Sequence, residues 1–246
     1  MIPLTIDINA DVGEGMGNES QLFPHLSSCN IACGGHAGTP ETMRAVVKLA
    51  KQYGLKIGAH PSFPDVVNFG REHMDISYTA LFASLQHQIN DLQDILREEQ
   101  VDLNHVKLHG ALYNLAAVDE KIAMVVIEVM KRFVLPVKLY VPYKSVIADL
   151  AIQNNIPIVY EVFADRQYNT DLTLVSRKEK NAVIHDSEML VEHVYNMVAN
   201  QKVKTISGQE VPIKAETCCV HGDNLYAVNL LINLRKHLKK KGINVL

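Results

Sequence analysis

Tryptophan is absent from this chain of 246 residues, and long apolar runs are absent too. No stretch approaches the roughly 20 consecutive apolar residues that a bilayer-spanning helix needs. The first residues lack the basic region of a secretory signal peptide. The net charge is only −3, which argues against a general role in binding nucleic acid or anionic membranes. The one basic run, residues 235–241, ends an apolar-periodic segment, so we interpret it as cations that complement a helix C-terminus in preference to a binding patch. These absences predict a cytoplasmic protein whose partners include neither nucleic acid nor a membrane.

Several common catalytic and phosphate-binding motifs are also missing. The chain has no G-x-x-x-x-G-K-[ST] loop, and the segment 13–17 lacks the last glycine of G-x-G-x-x-G, so neither standard phosphate cradle is present. It has no G-x-S-x-G elbow and no H-E-x-x-H pair, which argues against a serine hydrolase or a zincin. The four cysteines lie in apolar runs without zinc-ribbon spacing, so we expect buried, reduced thiols.

The chain does contain short apolar runs that alternate with longer amphipathic ones, without a linker between them. With 48% hydrophobic residues it can bury one large core, so we expect a single domain over residues 1–246. Strands that alternate with helices predict an α/β fold with parallel strands and right-handed crossovers. We expect an irregular (β/α)7-type barrel, and a doubly wound open sheet is the alternative. The predicted strands are 4–9, 28–33, 56–60, 105–109, 137–141, 156–163 and 216–221, and the predicted helices are 40–53, 77–99, 120–133, 143–154, 187–200 and 225–241.

The first strand ends in three polar residues at alternate positions, Asp7, Asn9 and Asp11. Alternate residues of a strand share one face, so these side chains point the same way. Two carboxylates and an amide together are costly unless they are hydrogen-bonded, bind a cation or take part in chemistry. The pattern therefore indicates a site, and an Asx-rich turn is the alternative interpretation.

Polar residues follow the other predicted strands as well. In barrels and in open sheets, ligands bind outside the carboxyl ends of parallel strands. Four histidines fall at four such ends, next to glycines that let the backbone approach a ligand, which favours a site over isolated structural histidines. The candidate residues at these ends are Glu14, Asn30, His36, His60, Lys107, His109, Glu161, Asp165, Arg166, His221 and Asp223.

Eight segments resemble, in order, those of the LamB/YcsF family, the A subunit of bacterial ATP-dependent 5-oxoprolinase. They are residues 7–15, 30–38, 58–65, 69–71, 106–114, 161–166, 182–186 and 219–223. The resemblance implies an irregular barrel related to glycoside hydrolases and polysaccharide deacetylases. It also implies a hydrolase that opens the lactam ring of 5-oxo-L-proline to L-glutamate. ATP, with Mg²⁺, would be the co-substrate, and subunits B and C would be the partners.

This resemblance suggests roles for the candidate residues. A carboxylate among Asp7, Asp11 and Glu14 would act as general base, and His36, His60 or His109 would assist proton transfer. Lys107 and Arg166 would hold the substrate carboxylate or a phosphoryl group, although Lys107 could instead neutralise Asp11 or Glu161 in the core. The other candidates for substrate or phosphate binding are Asn9, Asn30, Glu161, Asp165, His221 and Asp223.

Two other functions remain open at this point. In a metal-dependent amidohydrolase or deacetylase, Asp11, His60 and His109 would bind a divalent ion that activates water. In a non-catalytic subunit, the pocket would bind a small acid without turnover. Metal analysis distinguishes the first of these, and ligand affinity without turnover in any combination with partners distinguishes the second.

Overall fold

Seven parallel strands form a closed barrel in this structure, a computed structural model that describes residues 4–222 and 227–246. The first six barrel strands pair consecutively, and the seventh, β9, pairs with both β6 and β1 and closes the ring. The strands are β1 Leu4–Val12, β2 Ser28–Ala32, β3 Lys56–His60, β4 Leu103–Val106, β5 Lys138–Pro142, β6 Ile158–Phe163, β7 Lys202–Lys204, β8 Glu210–Pro212, β9 Thr217–Cys219 and β10 Ile243–Val245.

Helices fill most of the crossovers between the strands. Side-chain oxygens of Thr39, Ser77, Asp119, Ser145 and Asp186 accept hydrogen bonds from backbone N–H groups of the first turn, which explains five helix starts. None of the helices in the described ranges is long and apolar enough to cross a membrane. The helices are α1 Glu19–Leu22, α2 Pro40–Gln52, α3 Tyr78–Glu98, α4 Gly110–Ala116, α5 Glu120–Met130, α6 Val146–Gln153, α7 Ser187–Ala199 and α8 Ala227–Lys240.

The predicted α/β barrel is confirmed, and each of the seven predicted strands overlaps one barrel strand. The predicted strand 105–109 was wrong at its carboxyl end, because β4 stops at Val106 and α4 begins at Gly110. Gly110 has a φ of +56°, and a Cβ at this residue would collide with the carbonyl oxygen of Gly70. Glycine therefore permits the sharp change from strand to helix directly after His109.

Within the described residues, three short strands lie outside the barrel and were not predicted. β10 pairs with the beginning of β1, and β7 and β8 form an antiparallel pair. Each has only three residues, which is too short for an alternation of polar and apolar positions to stand out. The helices α1 and α4 were also missed, because α1 has four residues and α4, with seven, spans only about two helical turns.

The two faces of β1 differ in chemistry. Ile8 and Ala10 belong to the apolar core that the surrounding helices cover. The alternate residues Asp7, Asn9 and Asp11 are also buried, so they face the inside of the barrel. The barrel interior is therefore polar along this strand, and its buried groups need hydrogen-bond partners.

Candidate active site

Asp7 lies at the start of the polar row on β1. Ser28 Oγ and Thr217 Oγ1 donate to Asp7 Oδ2 at 2.6 and 2.7 Å, and Lys56 Nζ lies 3.2 Å from Oδ1. Both carboxylate oxygens therefore have protein partners. Asp7 is not among the residues that line the large cavity of the molecule, and this separates it from the other two candidate bases, Asp11 and Glu14.

Asn9 forms the next layer and joins four strands of the barrel. Its Nδ2 donates to Glu161 Oε1 at 3.0 Å and to Thr217 Oγ1 at 2.8 Å, and its Oδ1 accepts from Asn30 Nδ2 at 2.8 Å. Asn30 Oδ1 in turn lies 2.7 Å from Nε2 of His105. Burial, followed by the nearby Lys107 charge, holds the pKa of His105 well below its usual value, so this histidine is neutral. The two asparagines are thus occupied by protein partners.

Lys107 carries a buried positive charge at the centre of the barrel. Its Nζ lies 2.9 Å from Asp11 Oδ1, 3.0 Å from Glu161 Oε1 and 3.0 Å from Cys219 Sγ. Burial alone would lower the pKa of Lys107, but Asp11, Cys219 and Glu161 raise it well above the usual value. Burial would likewise raise the pKa of Asp11, but His60 and Lys107 hold it well below the usual range. Lys107 therefore forms an ion pair with each of the two carboxylates inside the barrel. Neutralisation of Asp11 or Glu161 was one of the two sequence-based interpretations of Lys107.

Three imidazole rings and one carboxylate lie close together next to Asp11, whose Oδ2 is 3.4 Å from His60 Nε2. We call Glu14, His36, His60 and His109 the histidine cluster; one ligand atom from each lies within 4.8 Å of the others. Glu14 Oε1 is 3.0 Å from His36 Nε2, 3.4 Å from His109 Nδ1 and 3.8 Å from His60 Nε2. The rings of His36 and His109 stack with centroids 3.6 Å apart. Burial lowers the pKa of both stacked histidines, so neutral imidazoles predominate there.

Backbone carbonyl groups fix the orientation of two of these rings. His60 Nδ1 lies 2.9 Å from the carbonyl oxygen of Lys107, and His109 Nε2 lies 3.0 Å from that of Phe69. The loop that carries Phe69 is anchored next to His109, because the N–H of Ala111 donates to the carbonyl oxygen of Gly70 at 2.9 Å. The loop that carries Phe69 and the start of helix α4 therefore hold His109 in position together.

A cavity of about 1030 Å³ opens onto these groups. This volume is at the upper end of ordinary small-molecule sites, which span roughly 300–1,000 Å³. Its lining includes the acid–base groups Asp11, Glu14, His60, Lys107, His109 and Glu161. Cationic side chains also line it, namely Arg71, Lys144, Arg166, Arg177 and Lys178. The cavity therefore combines acid–base groups with a surface suited to anions.

A second polar group lies on another wall of the cavity. His221 Nδ1 lies 2.8 Å from Asp165 Oδ1, and its ring stacks on Phe163 with centroids 5.4 Å apart. Burial would raise the pKa of Asp165, but His221 lowers it below the usual value. Next to this pair, Arg166 Nη2 donates to the carbonyl oxygen of Val175 at 2.6 Å, and burial lowers the pKa of Arg166 to about 10. His221 is thus oriented by a carboxylate, and Arg166 remains charged at neutral pH.

Comparison with known proteins adds to this geometry. The family model described as "LamB/YcsF family" matches residues 6–246. The chain therefore belongs to the LamB/YcsF family. A relative from Thermococcus sibiricus, named as the A subunit of 5-oxoprolinase, is 40% identical over 247 residues, covering 98% of this chain and 97% of the relative. A protein of the same name from Campylobacter jejuni subsp. doylei is 38% identical over 245 residues, covering 98% and 96%.

The fold of this LamB/YcsF chain is also found in a solved structure, the "Lactam Utilization Protein" from Thermus thermophilus. The two are 35% identical, with a TM-score of 0.91 over 98% of this chain and 99% of the other. Among structures of other families, a deacetylase-like barrel aligns at lower similarity. With a family 4 carbohydrate esterase from Streptomyces lividans the TM-score is 0.50 at 8% identity, over 98% of this chain and 91% of that one, and this likeness concerns the fold alone.

The LamB/YcsF barrel brings most of the candidate residues to one region, but not all to the cavity surface. Asn9, Asn30 and Asp7 lie within the hydrogen-bonded interior, and His36 and Asp165 lie behind cavity residues to which they bond. Asp223 lies outside the described residues. The candidates that line the cavity are Asp11, Glu14, His60, Lys107, His109, Glu161, Arg166 and His221.

Sequence reasoning missed several residues of the LamB/YcsF cavity. Tyr113 is one, because it lies on the unpredicted helix α4; its hydroxyl is buried without a hydrogen-bond partner, as is Oε2 of Glu161. Burial and then Glu161 raise the pKa of Tyr113 well above its usual value, so the phenol stays protonated. Lys144, directly after β5, and Arg177, beyond Arg166, were also missed. The strand-end rule could have found Lys144, and Tyr113 lies in the segment 106–114 that resembles the family, but nothing in the sequence indicated Arg177.

Proposed function

We propose that this chain is the A subunit of an ATP-dependent 5-oxoprolinase. It opens the lactam of 5-oxo-L-proline to L-glutamate in the cytoplasm, with cleavage of ATP and together with subunits B and C. The observation that carries this proposal is the name shared by relatives that are about 40% identical over nearly the whole chain. The cavity supports it, because carboxylates, imidazoles and cations surround one space.

The proposed chemistry overcomes amide resonance, which protects the lactam carbonyl from attack. Transfer of the γ-phosphoryl group of ATP to the carbonyl oxygen releases ADP and turns that oxygen into a leaving group. A water molecule then adds to the activated carbon and gives its proton to a base, and the ring nitrogen takes up a proton as the C–N bond breaks. A second water molecule hydrolyses the resulting acyl phosphate to glutamate and inorganic phosphate.

Asp11 and Glu14 are the better candidates for the base. His60 and Lys107 hold the pKa of Asp11 well below its usual value. Both Asp11 and Glu14 line the cavity, whereas Asp7 already accepts three hydrogen bonds in the barrel interior. His60 and His109 lie within 3.8 Å of Glu14 Oε1, which suits them to relay protons. Arg166, with the other cations of the cavity, would bind the substrate carboxylate or the phosphoryl group.

The proposed ATP site involves the B and C partners. This chain has neither a Walker nor a Rossmann phosphate loop, so ATP with Mg²⁺ would bind in another mode or at a shared surface. The test measures glutamate formed from 5-oxoproline by the chain alone, by the chain with ATP, and by the chain with ATP and both partners. We expect turnover only in the complete mixture.

A second candidate function is an ATP-independent amidohydrolase, and the histidine cluster is the observation that favours it. The same assay separates the two functions, because full turnover by the chain alone without ATP would support the amidohydrolase and overturn the proposal above. Affinity for 5-oxoproline without turnover in any mixture would instead indicate a non-catalytic binding protein.

A further inference from the structure

The hydrogen positions in the histidine cluster follow from its neighbours. A carbonyl oxygen can only accept a hydrogen bond, so a ring nitrogen that faces one must carry the hydrogen. His60 Nδ1 faces the carbonyl oxygen of Lys107 at 2.9 Å, and His109 Nε2 faces that of Phe69 at 3.0 Å. In the neutral rings, the lone pairs are therefore on His60 Nε2 and His109 Nδ1.

These two lone pairs point at each other. His60 Nε2 and His109 Nδ1 are 2.9 Å apart, and both side chains are buried. Two nitrogen lone pairs at this distance repel, so a positive species must lie between or beside them. Glu14 Oε1 lies 3.4 Å from His109 Nδ1 and 3.8 Å from His60 Nε2, which adds a negative charge at the same point. Either a proton or a metal ion satisfies this arrangement.

The separations match those of atoms that bind one metal ion. Donors that lie about 2.0–2.2 Å from a zinc-like ion are roughly 2.9–3.6 Å from one another. Two of the three separations among Glu14 Oε1, His60 Nε2 and His109 Nδ1 fall in this range, and the third exceeds it by 0.2 Å. A ring whose other nitrogen donates to a backbone carbonyl is also the usual arrangement for a metal-binding histidine.

His36 has a different role from the other two histidines. A carboxylate also only accepts hydrogen bonds, so His36 Nε2, at 3.0 Å from Glu14 Oε1, carries its hydrogen there. His36 is also parallel to His109, with 4° between the ring planes, so the two rings cannot both aim a lone pair at one ion. His36 therefore holds Glu14 in place and does not bind the ion.

We propose that Glu14, His60 and His109 bind one divalent transition-metal ion, with a remaining coordination position open to the cavity. Two imidazoles and one carboxylate suit Zn²⁺ and similar borderline ions, and three protein ligands with an open position are the usual arrangement in catalytic zinc sites.

The sequence-based set had Asp11 in place of Glu14. Lys107 and Asn30 already occupy Asp11 Oδ1, and Asp11 Oδ2 lies 3.4 Å from His60 Nε2. Asp11 does not belong to the group whose ligand atoms all lie within 4.8 Å of one another, whereas Glu14 approaches both His60 and His109. This site does not depend on the proposed lactam opening. With the ion bound, Glu14, His60 and His109 would not be free to take up protons, and Asp11 would remain as the candidate base that lines the cavity.

Metal binding by the full chain tests the proposal directly. The protein is stripped with a chelator, dialysed and titrated calorimetrically with Zn²⁺, and metal content is measured by elemental analysis after Zn²⁺ loading and gel filtration. We expect about one tightly bound ion per chain. His60→Ala and His109→Ala should lose it, and Glu14→Gln should weaken it. His36→Ala should retain the ion with affinity reduced by about 10–100-fold, because residues that orient a metal ligand have effects of this size.

His221→Ala is the matched control, because His221 lines the same cavity but pairs with Asp165 instead of the cluster. It should keep full metal content. Circular dichroism and gel filtration identify variants that fail to fold. If the histidine variants fail to fold, the metal affinity of Glu14→Gln and the Co²⁺ absorption spectrum of the unmodified chain test the proposal in their place. The spectrum should show the visible bands of a low-coordinate site with nitrogen and oxygen ligands.

Three results would overturn the proposal: stoichiometry far below one ion per chain, unchanged metal content in a folded His60→Ala/His109→Ala double variant, or a Co²⁺ spectrum of the fully hydrated ion. In each case a shared proton is the species between the two rings. These outcomes are independent of the lactam assay, since metal content is measured without substrate, ATP or partners.

Discussion

Replacing Lys107 by methionine tests the charge balance at the barrel centre. The substitution keeps most of the side-chain volume but removes the ammonium group 2.9 Å from Asp11 and 3.0 Å from Glu161. Lys107 is 1% exposed and methionine keeps most of its volume, so little water can replace the lost cation beside the two carboxylates. Breaking a buried ion pair from one side costs roughly 3–5 kcal/mol, because the remaining charge is uncompensated. We expect Lys107→Met to lower the free energy of unfolding by about this amount.

Urea unfolding followed by circular dichroism measures the loss, and a thermal scan should show a melting temperature lowered by roughly 6–20 °C. Lys56→Met is the matched control. Its ammonium group pairs with Asp7, but the Lys56 side chain is 43% exposed and Asp7 keeps its bonds from Ser28 and Thr217. The control should lose no more than about 1 kcal/mol.

The pH dependence gives a second check. The pKa of Asp11 is lowered in the folded protein, so its stabilising contribution is present above the unfolded carboxyl pKa of about 3.9 and is lost as pH falls through the folded value. The pKa of Lys107 is raised, so its contribution is present below about 10.4 and is lost as pH rises through the folded value. The stability difference between the natural chain and Lys107→Met should therefore be largest near neutral pH and shrink in acid.

Removing the unpaired charges should reverse the effect. A triple variant with Lys107→Met, Asp11→Asn and Glu161→Gln should recover a large part of the lost stability, because no buried charge is left without a partner. The reasoning would be refuted if Lys107→Met unfolded within about 1 kcal/mol of the natural chain at neutral pH, or if its deficit did not change between neutral and acidic pH.

Three further perturbations test other parts of the structure. Gly58→Ala should lower the melting temperature in a calorimetric scan, because the added methyl group would collide with the ring of His105. Overpacking of this kind lowers the free energy of unfolding by about 1–3 kcal/mol, and an unchanged melting temperature would contradict the collision. All four cysteines are free and buried, and burial raises the pKa of the Cys33 thiol to about 12. A thiol reagent should therefore react with no cysteine in the native chain and with four after unfolding, and rapid reaction in the native chain would refute this. His109→Ala should reduce glutamate formation by the reconstituted enzyme by about 10²–10⁴-fold with assembly of the complex unchanged, and near-normal turnover would exclude an essential role.

The barrel was predictable because its strands are apolar runs separated by amphipathic helices with identifiable starts. Asp186, for example, was recognisable as an N-cap and does accept the bond from Met189 N–H. The strand-end rule likewise selects Asp11, His60 and His109, and all three line the cavity. Several short elements, among them β7, β8, β10, α1 and α4, escaped this approach, since periodicity needs more positions than they contain.

The details of the site depended on contacts that no sequence pattern contains. Lys107 could bind a ligand or belong to the core. Only the closed barrel, which places the end of β4 across the interior from β1 and β6, shows that Lys107 bridges Asp11 and Glu161. Asp7 and Asp11 look equivalent in the sequence, but four residues along a strand separate a hydrogen-bonded interior carboxylate from one that lines the cavity. The two carboxylates differ because Asp7 lies deeper in the barrel interior than Asp11. That depth exists only once the sheet has closed into a barrel.

The pairing of β1 with β9 has a consequence for how the chain is made. Asp7 meets Thr217 across 210 residues of sequence, so β1 leaves the ribosome long before its closing partner exists. At translation rates of about 5–20 residues per second, this interval is on the order of 10–40 s. During that time the carboxylate of Asp7 and the free edge of β1 must remain hydrated or shielded by a chaperone. Synthesis therefore passes through an open, half-built sheet, and aggregation at this stage competes with ring closure.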